Sequence, residues 1–441
     1  MEMEMSSLNM LEKAILFFLS AVSVGLLIFS FFLPFFYTIV FVNFFLLFVL
    51  ILFLLLYLER GDYGKAKLIK KYPSVSIIVP VYNSIKTIGK CMAAIKKIKY
   101  PKKIEIIVVD DGSTDGSREY LEKLKGIKLI KLKKNSGKAI ALNKGLEFVK
   151  TDFVACIDSD TYPENDVLLK TMGYFEDARV GAVTGLILPD KVQSLIQRLQ
   201  FFEYAIGFGF WTTILSSINS MTMIPGPLTV FRKKAFDEIG GYDPGNLTED
   251  MEIALRLQKH SYKIMVCFEA KAFTDIPDTW KKLFKQRDRW YRGRIFNLIK
   301  YKSLFFNKKN SDLGFFALPY LFALEISSVL LLFRTIVLFA NTVFNFFAIE
   351  TTVFGLTNSF GFFVKEIIVP STAIFFVFSY LLILLFTYFS LKLIGYKTKN
   401  FDWLVILINI LLYPFFVSTV YFQSYLKEMA GVKSKWVRVS T

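Results

Sequence analysis

Two carboxylates separated by one residue, Asp158-Ser159-Asp160, follow an apolar run that begins at Phe153. Two anions held this close are unfavourable unless a cation or a donor balances them, and a divalent ion bridging to a diphosphate does so. A second acidic pair, Asp110-Asp111, ends another apolar run and leads into Gly112-Ser113. An acid there can hydrogen-bond a ribose or a base edge, and an ordinary strand-to-helix turn accounts for the same residues. Asn135-Ser136-Gly137-Lys138 opens a helical stretch. Its lysine and free backbone N–H groups can meet phosphate oxygens, although the spacing is not that of a P-loop. Thr248-Glu249-Asp250 starts another helical pattern, with Thr248 as a cap and two acids that suit the helix dipole. One of those carboxylates, kept ionised by the helix N-terminus, can take the proton of an attacking hydroxyl. In Gln286-Arg287-Asp288-Arg289-Trp290, the residues Gln286, Arg289 and Trp290 share one helical face. An amide, a guanidinium and an indole together can bind a pyrophosphate and stack on a sugar ring, and they also suit an interfacial anchor.

Such groups need a frame that brings them together. From about Ser74 to Asn310, short β-rich runs alternate with helical patterns. Strands are predicted at Ser74–Pro80, Ile104–Asp110, Ile127–Leu132, Phe153–Asp158 and Val180–Leu188. Helices are predicted at Ile85–Ile98, Ser113–Lys125, Gly137–Val149, Met251–His260 and Trp280–Lys300. Continuous apolar strands between helices predict a doubly wound parallel sheet, with ligands outside the carboxyl ends of the strands. Those ends carry Pro80-Val81-Tyr82-Asn83, Asp110-Asp111 and Asp158-Ser159-Asp160. Gln200–Leu215 is apolar and aromatic but short, with Glu203 inside, and fits a helix at a membrane interface better than a span. A core helix has the same composition.

The chain has 441 residues, is 54% hydrophobic with 48 Phe, and carries a formal charge of +17. Ala14–Phe36 and Tyr37–Leu58 are each long enough to cross a bilayer and read as a helical hairpin. Arg60, Lys65, Lys67, Lys70 and Lys71 follow it and place the next segment in the cytoplasm. Leu313–Ile349, interrupted by Glu325 and Arg334, is apolar again, and Ile367–Leu391 and Phe401–Tyr425 are clearer spans. Lys427, Lys433, Lys435 and Arg438 favour a cytoplasmic end, whereas the span lengths favour three C-terminal crossings, so five or six spans are expected in all. The basic excess therefore reads as positive-inside loops beside lipid, with a share available to a diphosphate, and not as a nucleic-acid surface. Cys91, Cys156 and Cys267 lack metal or redox spacing, and the lone His260 at a helix end discounts Ser-His-Asp and histidine-metal mechanisms.

Taken in order, PVYN at 80–83, DDGS at 110–113, NSGKAIALNKG at 135–145, DSD at 158–160, TED at 248–250 and QRDRW at 286–290 resemble the processive family-2 glycosyltransferases, which include cellulose, hyaluronan and poly-N-acetylglucosamine synthases. The resemblance runs from about Ser74 to Arg294. It implies an α/β GT-A (Rossmann-like) catalytic domain inserted between N-terminal and C-terminal α-helical transmembrane segments. The implied division is a hairpin at 1–60, a cytoplasmic domain at 61–310 with interfacial helices near 193–217 and 279–300, spans at 311–426 and a basic tail at 427–441. It implies a multi-pass plasma-membrane enzyme that inverts the anomeric centre of a UDP-sugar, UDP-GlcNAc or UDP-Glc, and extends a β-linked glycan through its spans. Single addition to a lipid acceptor is the alternative. By position, Asp111, alone or with Asp110, would contact uridine, with Pro80, Tyr82, Asn83 and Lys138 also lining the donor site. Asp158 and Asp160 would hold Mg²⁺ or Mn²⁺ and the diphosphate. Asp250 would be the general base, beside Glu249, and Gln286, Arg287, Arg289 and Trp290 would hold the diphosphate and the acceptor. One departure is Ser84, where the family often has an acid.

Overall fold

The structure, a computed structural model, describes residues 47–48, 50–59, 61–307, 309, 312–350 and 370–432. The expected span Ala14–Phe36, Arg60 and the basic residues beyond 432 lie outside the described residues.

Eight strands form one sheet: β1 (Val75–Val81), β2 (Glu105–Asp110), β3 (Lys128–Lys131), β4 (Phe153–Ile157), β5 (Thr161–Pro163), β6 (Val180–Pro189), β7 (Leu228–Arg232) and β8 (Lys263–Thr274). Their order is β3-β2-β1-β4-β7-β6-β8-β5. The β1-β2, β2-β3 and β1-β4 pairs are parallel. Every residue of β1 is buried, as an apolar strand covered on both faces requires. Val75, Ile77, Val79 and Val81 enter one core with Ile88, Cys91, Met92 and Ile95 of helix α1 (Ile85–Lys96). Ile78 faces the other way, onto Ala141 and Leu142 of helix α2 (Lys138–Leu146).

The sheet is mixed, and the expectation of a parallel one is corrected in its second half. β7 runs antiparallel to both β4 and β6, and β5 antiparallel to β8. β8 alternates between buried and half-buried positions for much of its length, so it lacks the continuous apolar signature of β1.

Helix α3 (Leu195–Tyr204) continues through a π-helical turn at Ala205–Trp211 into Thr212–Ser217. Ser194 and Gln197 close its N-terminus as a capping box. Its residues Leu199 and Phe202 pack with Leu186 and Phe268 of the sheet and with Leu391 and Val405 of later apolar helices. It is thus sandwiched between the sheet and those helices. Then come α4 (Glu249–Lys259), α5 (Trp280–Lys300), α6 (Leu318–Glu350), α7 (Pro370–Ile394), α8 (Asn400–Leu411) and α9 (Tyr413–Met429). Among the described residues, one helical stretch, Phe401–Met429, is long and apolar enough to cross a bilayer, and Leu50–Glu59, Leu313–Ser327 and Tyr380–Ile394 are shorter apolar stretches. Helix α5 is tied to the later helices by ions: Asp288 to Lys427 at 2.9 Å, Arg294 to Glu325 at 2.9 Å, and Arg292 to Glu428.

Candidate active site

Three distant stretches of chain bring charged groups to one cleft. Lys138 opens α2, Asp158 follows β4, and Glu249 and Asp250 open α4. With Gly226 and Thr229 they line the cleft together. The Lys138 ammonium lies 2.7 Å from Asp158 Oδ1, 2.9 Å from Asp158 Oδ2 and 2.9 Å from Glu249 Oε1. Gly226, between Pro225 and Pro227, keeps the centre open. A Cβ there would sit 3.2 Å from Lys138 Nζ, 3.6 Å from Asp250 Oδ2 and 3.7 Å from Asp158 Oδ2.

The charges divide the two acids of α4 into different roles. Burial pulls the pKa of Lys138 down, but Asp158 and Glu249 reverse this and raise it. Burial pushes Glu249 up, and Lys138 and then Arg289 outweigh it, so Glu249 is held below its ordinary value. Asp250 is pushed up to about 6 by burial and then by Glu249, against the pull of Lys138 and Arg289. Glu249 is therefore the carboxylate held ionised beside Lys138, and Asp250 is the one whose affinity for a proton is raised. The Met251 N–H donates to Asp250 Oδ1 at 2.8 Å, which leaves Oδ2 toward Gly226.

The pair Asp110 and Asp111 has local work to do. Asp110 is fully buried and accepts from Arg118 Nε at 2.6 Å and from the Ser113 N–H at 3.2 Å. Asp111 accepts from the Ser136 and Gly137 N–H groups at 2.7 and 2.8 Å, so it holds the loop that delivers Lys138. Burial raises the pKa of Asp111, with those two bonds opposing. Pro80 lies within β1 and Tyr82 follows it half-buried. Asn83 takes a left-handed φ of 46° and accepts from the Thr114 N–H at 2.8 Å. Ser84 shares a 2.9 Å hydrogen bond with Ser159, which joins the PVYN turn to the DSD turn.

One expected helix start and one expected cap are corrected. The helix predicted from Ser113 is Ser117–Glu122, with Gly116 at its N-cap and the Ser117 N–H donating to Asp115 Oδ1 at 3.0 Å. Thr248 precedes α4 but makes no side-chain cap bond, because its hydroxyl accepts from Asn297 Nδ2 at 3.0 Å.

The QRDRW residues on α5 have different partners. Arg289 donates through Nη1 to the Leu247 carbonyl at 3.3 Å, beside the TED segment. Trp290 packs half-buried against the first core. Arg287 is fully buried and does not line the cleft; it pairs with Glu203 on α3 (Nη2 to Oε2, 2.5 Å) and donates to Gln286 Oε1 at 2.5 Å. Its guanidinium also lies 4.2 Å from the centre of the Trp290 ring. In the sequence Glu203 stands out only as an interruption of an apolar run, and no spacing points to Gly226 as a site residue. The Pro-Gly-Pro triplet around Gly226 was the available signal for a fixed close approach.

Asp158 and Asp160 are hard oxygen donors at the carboxyl edge of the sheet, and the Asp158 carboxylate is balanced by the Lys138 ammonium. Among the described residues, no three His, Cys, Asp or Glu side chains cluster as a metal cage. An ion at Asp158 and Asp160 would therefore have at most two protein carboxylates and would need substrate phosphates to complete its shell.

Residues 76–240 match the family described as Glycosyl transferase family 2. The poly-beta-1,6-N-acetyl-D-glucosamine synthase of Staphylococcus epidermidis is 29% identical over 245 residues, which cover 54% of this chain and 59% of that protein. The synthase of the same description from Staphylococcus aureus (strain COL) is 31% identical over 229 residues, 51% of this chain and 55% of that protein. The chain thus spans less than two thirds of the length of these curated relatives. A mannosyltransferase from Pyrobaculum calidifontis, solved in complex with GDP-Man and Mn²⁺, is similar over 88% of this chain and 100% of that one, with a TM-score of 0.50 and 17% identity.

Proposed function

We infer, from a chain whose residues 76–240 match the family-2 glycosyltransferase model and whose fold is GT-A-like α/β, that it is an inverting hexosyltransferase using a UDP-sugar. The observation that carries this reading is the meeting of Lys138, Asp158, Glu249 and Asp250 around Gly226. Asp250 takes the proton of the acceptor hydroxyl as that oxygen attacks the anomeric carbon from the face opposite the diphosphate. An α-linked donor then gives a β-linkage. Lys138 and Arg289 bring positive charge to the site, and Glu249 keeps Lys138 in place. Asp158 and Asp160 would hold Mg²⁺ or Mn²⁺, which would supply positive charge against the departing nucleotide diphosphate. Asp111 holds the Ser136-Gly137 loop in place, and its proposed contact with uridine would be made from that position.

The donor favoured by the relatives' description is UDP-GlcNAc, and the product a β-linked polymer extended processively. The catalytic domain, 61–310, lies in the cytoplasm between membrane segments, and the product leaves through the spans of 311–426. Supporting this placement, Phe401, Trp403, Leu404, Leu407 and Leu411 are exposed on α8, where lipid would cover them. The test is to incubate the purified, lipid-reconstituted protein with UDP-GlcNAc or UDP-Glc and a divalent ion, then size the product. A lengthening polymer is expected. A lipid-partitioning product of fixed size would instead select single addition to a lipid acceptor, and no UDP release with any UDP-sugar would overturn the transferase reading.

A further inference from the structure

Helix α5 turns Arg289, Gly293 and Asn297, one helical turn apart from each other, toward the loop that leads into Glu249 and Asp250. Gly293 marks the closest approach. A Cβ there would lie 2.3 Å from Thr248 Oγ1 and 2.4 Å from Thr248 Cγ2. Asn297 is fully buried. Its Nδ2 donates to Asn246 Oδ1 at 3.1 Å, to Thr248 Oγ1 at 3.0 Å and to the Thr248 carbonyl at 3.4 Å. Its Oδ1 accepts from Asn246 Nδ2 at 2.6 Å. Asn246 Oδ1 accepts in addition from the Thr248 N–H at 3.0 Å.

Both ends of the Asn297 amide are thus spent on the residues just before the candidate base. A buried amide is costly unless its donors and acceptors are used, and a reciprocal pair fixes orientation as well as distance. An apolar side chain of similar volume would fill the same space without fixing orientation. Thr248, whose hydroxyl is engaged by Asn297, does not cap α4. The start of that helix is therefore set from outside, by α5.

We propose that Gly293 and Asn297 are positioning residues that fix the place and direction of the Asp250 and Glu249 carboxylates through Asn246 and Thr248. The inference rests on the reading of Asp250 as the base. Gly293 sets how close the two segments come, and Asn297 sets their register. Neither touches the cleft.

The test compares variants of the full chain in lipid. Asn297→Ala and Asn246→Ala should each lower kcat by about 10- to 100-fold, the scale of a misplacement of roughly 1 Å. The KM for the UDP-sugar and the affinity for UDP should be unchanged. The double variant should lose no more than the worse single one, since both break the same pair. Gly293→Ala adds one methyl group and improves helix propensity, yet it should also lower kcat, and Thr248→Ala in the same chain should restore part of the loss by making room. An unchanged kcat in Asn297→Ala, additive losses, or UDP affinity falling in parallel with kcat would overturn the positioning role. If Asn297→Ala does not fold, the Gly293→Ala and Thr248→Ala pair decides, and a loss that Thr248→Ala leaves unrelieved counts against it. Absence of transfer by the unmodified chain would strike the proposed function instead, a result distinct from an active chain whose Asn297→Ala variant keeps its kcat.

Discussion

Arg287 and Glu203 form a two-point ion pair, with Nη2 to Oε2 at 2.5 Å and Nε to Oε1 at 3.3 Å, that joins the QRDRW helix to α3. Tyr413 on α9 donates to the same Glu203 carboxylate at 2.8 Å. Removing one partner leaves a buried charge uncompensated, which costs about 3 kcal/mol or more. Glu203→Ala is therefore expected to lower thermal stability and activity together, because the freed Arg287 no longer holds Gln286 and Trp290. Replacing both, Glu203→Leu with Arg287→Met, should recover stability but not activity. Thermal unfolding followed by fluorescence, alongside UDP release, separates the two effects. Recovery of both would show that Arg287 has no part in orienting its neighbours.

Lys138 is the cation shared by Asp158 and Glu249. Lys138→Met would leave two carboxylates facing each other across the cleft. A loss of about 100-fold in kcat/KM or more is expected, the scale of removing one preorganised charge-stabilising group. Steady-state UDP release measures it, and wild-type kinetics in this variant would remove Lys138 from the donor site.

The raised pKa of Asp250 sets a pH dependence. A base must be ionised, so kcat/KM should fall about tenfold per unit as pH drops below about 6. The effect on stability has the opposite sense. The folded state binds this proton more tightly than the unfolded chain, whose carboxyl keeps its ordinary value of 3.8. The contribution of this group to stability is thus fully present below 3.8 and is lost as pH rises toward 6. Asp250→Asn should abolish transfer, bind UDP normally and be at least as stable as the parent at pH 7. A variant that still turns over would exclude Asp250 as the base.

Chelation should stop UDP release, and added Mn²⁺ or Mg²⁺ should restore it, if Asp158 and Asp160 present the ion to the diphosphate. Asp160→Asn should raise the ion concentration needed for half-maximal rate and leave thermal stability nearly unchanged. Full activity in chelator would remove the divalent ion from the reaction.

The strands that end in PVYN, DDGS and DSD were legible because continuous burial leaves a continuous apolar run, and an acid just past it marks the carboxyl edge of the sheet. β7 was not legible. It has five residues, lies antiparallel between β4 and β6, and is placed by pairing with strands far away in sequence. The meeting of Lys138 with Asp158 and Glu249 is likewise long-range, and only the presence of the three motifs, not their contacts, could be read. Arg287 shows a further limit. Helical periodicity says which residues share a face, but the burial of its charge depends on Glu203, 84 residues earlier. The idle cap at Thr248 has the same origin, since Asn297 competes for a hydroxyl that local sequence assigns to its own helix.

Helix α5 grips the loop before Asp250 on one side and is pinned by Asp288, Arg292 and Arg294 to Lys427, Glu428 and Glu325 on the other. It cannot tilt relative to those apolar helices without breaking ion pairs, and it cannot tilt with them without dragging the candidate base. If those helices cross a bilayer as proposed, acyl-chain length and lateral pressure, which alter the inclination of spanning helices, would become inputs to the proposed turnover. Such an enzyme would slow or quicken with the thickness of the lipid around it.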